Sequence, residues 1–72
     1  MFIKFTDQKR TTNSIVINSD NIYLIREINQ WDTEIELDNG KIVHVWEDVD
    51  EVLKELAYCE RLKSRPSQQY NR

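Results

Sequence analysis

A chain of 72 residues is one small domain, about half the usual domain length. With 39% hydrophobic and 32% charged residues, its composition is neither that of a membrane-spanning protein nor that of a disordered one, and no apolar run nears the roughly 20 residues that cross a bilayer. Cys59 is the single cysteine, which excludes an internal disulfide and a multi-cysteine metal site.

The formal net charge is -3, but it is unevenly spread. Residues 1–60 carry all thirteen acids against six bases, a net of -7. Residues 61–72 carry Arg61, Lys63, Arg65 and Arg72 and no acid, a net of +4. An acidic body argues against a duplex nucleic acid as partner, since such a protein presents a basic face. The start, Met1-Phe2-Ile3-Lys4-Phe5, lacks the layout of a secretory leader, so a cytoplasmic location is expected.

In chain order, residues 2–6 read as a strand with Ile3 and Phe5 on one face and Phe2 and Lys4 on the other. Residues 7–14 are polar and aperiodic, a loop. Residues 15–18 are β-branched and predict a second strand, and Asn18-Ser19-Asp20-Asn21 predicts a turn. Residues 22–29 carry Ile22, Ile25 and Ile28 at helical spacing. Their aromatic and β-branched content still favours a strand, with a bulge near Leu24 to Arg26 reconciling the apolar positions.

Asp38-Asn39-Gly40 predicts a hairpin over 33–46. A two-residue loop would pair Leu37 with Ile42. A three-residue loop with Gly40 in the left-handed region would instead pair Leu37 with Lys41, Ile35 with Val43 and Thr33 with Val45. The second register collects Ile35, Leu37, Val43 and Val45 on one aliphatic face and is the expected one, because a one-residue slip exchanges the faces of a strand. Residues 48–63 predict a helix with an apolar stripe of Val49, Val52, Leu53, Leu56, Ala57 and Leu62. Asp48 caps its start with Glu51 as capping-box partner, and Pro66 is expected to stop it. The fold class expected is α+β: a small antiparallel sheet of four to five strands with one C-terminal helix packed on it, forming a domain over 1–65 with a flexible basic tail over 66–72.

Little in the sequence points to catalysis. His44 beside Glu34 makes a carboxylate–imidazole pair, but no further residues at metal-ligand spacing accompany it, so no metal is expected. Cys59 has basic neighbours in Arg61 and Lys63 but reads as a buried or half-buried helix thiol. The acids at 47–51 lack the glycine and ligand alternation of a calcium loop, and a single glycine excludes a Gly-rich phosphate loop. The expectation is a non-enzyme without cofactor.

The unusual feature is the outward face of the hairpin, where Ile42, His44 and Trp46 alternate, with Trp31 just before the partner strand. Trp46, His44, Ile42, Trp31 and Tyr23 are the candidate partner-binding residues, because tryptophan and tyrosine are enriched in binding hot spots. The partner is expected to be another protein or a second copy of the chain. A second reading is a small-molecule or nucleotide module at a subunit groove, with a base stacked on Trp31 or Trp46 and Lys9, Arg10 and Arg26 as candidate phosphate contacts. A third is an acidic inhibitor that mimics nucleic acid.

The stretches Ile17-Asn18-Ser19-Asp20-Asn21-Ile22, Asp32-Thr33-Glu34-Ile35-Glu36-Leu37-Asp38-Asn39-Gly40-Lys41 and Val43-His44-Val45-Trp46-Glu47-Asp48-Val49-Asp50-Glu51-Val52 resemble the FlbD-like family of small bacterial proteins. That family reads approximately Ile/Leu-Asn-Pro-Asp-x-Ile, then Asp-Thr-x-Ile-x-Leu-x-Asn-Gly-Lys, then Val-x-Glu-Ser-x-x-Glu-Val. The resemblance covers about residues 2–60. Ser19 stands where the family has proline, residues 7–14 replace a tight Asn-Gly turn, and Trp46 stands where a polar residue is usual. The resemblance implies a bacterial or phage protein with a link to flagellar motility, and it carries over no catalytic residue.

Overall fold

The computed structural model describes the backbone of residues 1–70 and the side chains of residues 1–60. The fold is α+β, with five strands and one long helix. Strands β1 (Phe2–Thr6) and β2 (Ser14–Asn18) form an antiparallel pair. A 3-10 turn over Ser19–Asn21 leads into a second antiparallel sheet of β3 (Ile22–Asn29), β4 (Asp32–Leu37) and β5 (Ile42–Val45), in that order. The helix α1 spans Val49–Tyr70.

The two sheets meet at β5. Trp46 N–H donates to the carbonyl of Thr6 at 2.9 Å, and Gln8 N–H donates to the carbonyl of His44 at 3.2 Å. Asp7 bridges Val45. The end of β1 therefore leaves β2 and runs along the free edge of β5, so one chain segment is shared by both sheets. This is the departure from a single four- to five-stranded sheet. It places the alternating faces of β1 and β5 against one core.

That core holds Ile3, Phe5, Ile17, Ile35, Val45, Val52 and Cys59, with Ile15, Ile22, Ile25, Leu37, Val43 and Leu56 partly buried around it. Thr33 is the one fully buried polar residue among the described side chains, and its hydroxyl donates to the carbonyl of Glu47 at 2.8 Å. A buried hydroxyl without such an acceptor would cost stability.

The hairpin has the aliphatic register. Thr33 pairs with Val45 and Ile35 with Val43, Leu37 N–H donates to the carbonyl of Lys41 at 2.8 Å, and Gly40 has φ +87°. The irregularities of β3 fall between Ile22 and Leu24 and between Glu27 and Asn29, to either side of the expected 24–26. They let Ile22 and Ile25, three positions apart, both pack against the core.

The helix is turned further than its apolar stripe predicts. Val52 and Cys59 are buried, Val49 and Leu56 are half-buried, and Leu53 and Ala57 face outward, Leu53 at 50% exposure. Six apolar positions cover more arc than a thin two-sheet core can bury, and residues 52 and 59, two turns apart, take the central line. Leu62 lies outside the described side chains. The helix also continues past Pro66, where a stop was expected. A proline removes a single backbone donor, so the bonds on either side can hold the segment helical at a local cost. Of the expected tail over 66–72, residues 71 and 72 lie outside the described residues.

Two measurements check this packing. Gly40→Ala should cost on the order of 1 kcal/mol in urea unfolding. A methyl there meets nothing within 4 Å, so the whole effect is backbone strain. Val52→Ala should cost on the order of 2 kcal/mol and Leu53→Ala less than about 1 kcal/mol. The reverse order would place the helix in the expected phase.

Candidate functional site

Both tryptophans open onto one groove. Trp31 sits in the β3–β4 turn, which is shaped by its own backbone N–H donating to the Asn29 side-chain oxygen at 2.8 Å. Trp46 follows β5 directly and is pinned by its N–H bond to Thr6. Between them lies a space of about 340 Å³ lined by Thr6, Gln30, Trp31, Trp46, Glu47, Asp48 and Glu51. Trp31 is 54% and Trp46 45% exposed, so about half of each residue is open to solvent.

The floor is held by carboxylates. Glu47 accepts from the backbone N–H of Thr6 with both oxygens, at 2.9 and 3.1 Å, and from the Thr6 hydroxyl at 2.9 Å. Asp48 accepts from the N–H of Glu51 at 2.8 Å, which is the predicted helix cap. These bonds use some oxygen lone pairs but leave the charge in place. Three of the seven lining residues are acidic and, among the described residues, none of the lining side chains is basic.

The remaining candidates divide in two. His44 lies on the same outward face as Trp46, two residues away, and pairs with the sheet's charged row. Its Nδ1 is 2.8 Å from Asp32, while its Nε2 is 3.9 Å from Glu34. The expected partner was Glu34, which is directly across the strand. Asp32, two residues along β4 on the same face, is the diagonal neighbour and gives the closer contact.

Ile42 and Tyr23 sit at the opposite end of the sheet, near the Asp38–Gly40 turn. Ile42 pairs with Glu36, and Tyr23 occupies the irregularity beside Ile22, which pairs with Leu37. The length of β3 separates Tyr23 from Trp31, roughly 25 Å at strand rise. The groove therefore does not include either of them.

The expected phosphate contacts are dispersed. Arg26 binds Glu34 and lies 3.5 Å from Glu36, so two carboxylates already share its charge. Lys9 and Arg10 are exposed in the 7–13 loop and do not line the groove. Cys59 is buried and free, beside a smaller cavity of about 150 Å³ with Ser19, Asp20, Leu56 and Glu60. Among the described residues, no three His, Cys, Asp or Glu side chains are grouped to hold a metal ion. Among them, too, no helix is long and apolar enough to cross a membrane.

Thr6, Gln30, Glu47, Asp48 and Glu51 were not candidates from the sequence. The capping signal at Asp48 and Glu51, directly after Trp46, was the legible pointer to them. Thr6 carried none, because its approach to Glu47 spans 41 residues. Comparison with family models, curated proteins and solved structures found no match.

The Glu47–Thr6 contact is open to test. Glu47→Ala removes charge-assisted acceptors from a partly buried N–H and hydroxyl, and should cost about 1–3 kcal/mol in chemical denaturation. Loss near zero would mean that water replaces the carboxylate without penalty.

Proposed function

We propose that this is a non-catalytic bacterial or phage protein of the cytoplasm that acts by protein–protein binding and self-association, through the groove between Trp31 and Trp46. The observation that carries the reading is the convergence of both tryptophans of the chain, each about half exposed, on one concave surface. Half-exposed indoles at a groove are the usual anchors of a contact, since covering them removes apolar area from water. The groove's Glu47 and Asp48 carboxylates are engaged as structural acceptors, which supports binding rather than chemistry. The resemblance to the FlbD-like family belongs to the same proposal.

The charge pattern favours this reading over the others. A nucleotide stacked on either indole would bring its phosphates against Glu47, Asp48 and Glu51. A nucleic-acid mimic leaves its acidic row open to the partner, but Asp32, Glu34 and Glu36 are flanked on the neighbouring strands by Arg26 and His44, which contact them.

Trp46→Glu tests the proposal. The side chain lies outside the buried core, so circular dichroism should show a folded protein. Light scattering should show that association with itself or with its target is lost. A folded variant with unchanged mass and unchanged partner binding would move the interface away from the groove.

A further inference from the structure

Resting on the reading of the Trp31–Trp46 groove as a contact surface, we propose that its occupant is the basic segment 61–72 of a second copy of this chain, docked with the two helices antiparallel. The first observation is charge complementarity. The groove presents Glu47, Asp48 and Glu51 beside two indole rings. Residues 61–72 present Arg61, Lys63, Arg65 and Arg72 with no acid. Carboxylates pair with lysine and arginine, and indole faces attract the same cations. The positive end of the helix is already neutralised by the Asp48 cap, so it does not oppose a cation at this place.

The second observation is where the segment begins. The groove lies at the first turn of α1, and the helix runs on to Tyr70. At 1.5 Å per residue, position 61 is roughly 18 Å along the axis from Val49, and each later position is farther. A chain cannot fill its own groove while that helix persists. A second copy can. In an antiparallel pair, setting position 65 of one helix level with Glu51 of the other sets Tyr58 level with its own counterpart. Tyr58 is half exposed and stands two turns from Glu51 on the same helix face, since seven residues nearly complete two turns. The arrangement is two-fold and closes on itself, each groove receiving the other copy's segment.

The test uses the full chain, followed by sedimentation equilibrium with tryptophan fluorescence as a second readout, because both indoles of the protein lie in the groove. The wild-type chain should form dimers whose dissociation constant rises at least about tenfold between 50 and 500 mM NaCl, as screening shortens the reach of the charges. Arg65→Glu should weaken the dimer by a similar factor, and so should Glu51→Lys. Combining the two should recover much of the association, which a merely unfolded variant cannot do. Circular dichroism checks the helix in each. A chain that is monomeric up to about 1 mM overturns the inference, as does a dimer indifferent to salt and to the Arg65 change. If Trp46→Glu abolishes dimers that Arg65→Glu leaves intact, the groove stands as an interface and the basic segment is not its occupant. If Trp46→Glu also leaves them intact, the groove reading falls as well.

Discussion

The carboxylate of Glu47 receives both hydrogen-bond donors of Thr6, and much of the molecule is organised around that contact. Thr6 is where β1 leaves its pairing with β2 and passes to β5. Glu47 is where the second sheet turns into the helix. Thr33 completes the junction from beneath, its buried hydroxyl bonded to the Glu47 carbonyl. Three segments that are distant in sequence are thus tied at one point by charge-assisted and buried hydrogen bonds, which are stronger in a partly dry site than at an exposed surface. Trp46 sits one residue before Glu47, and the same junction fixes its position.

A small core makes this economy necessary. Seven residues form the buried cluster, and two of them, Val52 and Cys59, are all that the described helix buries fully. The helix is therefore tied to the sheets by a narrow line of contact near its start, and its remaining length extends past the described side chains. Chains of this size commonly draw additional stability from association. An acidic groove at one end of the helix and a basic segment at the other provide the ingredients for it, and the half-exposed indoles supply apolar area for the contact to cover.

The charged outer face of the second sheet has a different character. Arg26 with Glu34 and Glu36, and His44 with Asp32, form cross-strand and diagonal pairs that largely satisfy one another. The exposed Arg26–Glu34 pair contributes little to stability. Arg26 offsets part of the charge of the three carboxylates on this face, whereas among the described residues no basic side chain lines the groove. The two ends of the hairpin differ accordingly. The turn end carries the isolated apolar residues Tyr23 and Ile42, and the helix end carries the indole pair and the unbalanced acids.

Local chemistry made much of this legible in the sequence. Strand positions, the left-handed Gly40, the aliphatic register of Ile35 with Val43, and the Asp48 cap all rest on interactions between residues close in the chain or on a period of two, and these require no knowledge of what lies opposite. The two tryptophans could be named as contact candidates for the same reason, from residue type and parity. What only the tertiary structure decided is everything that depends on a distant neighbour. The helix phase, burying Cys59 rather than Leu53, was set by where two sheets leave room. The choice of Asp32 over Glu34 for His44 was set by diagonal geometry across strands. The hairpin register already sets Trp31 near Trp46 and far from Tyr23 and Ile42, but the closing of the groove by Thr6 followed from the path of β1 along β5. Period and propensity describe one segment at a time, whereas a groove is made by segments whose separation along the chain leaves no mark on either.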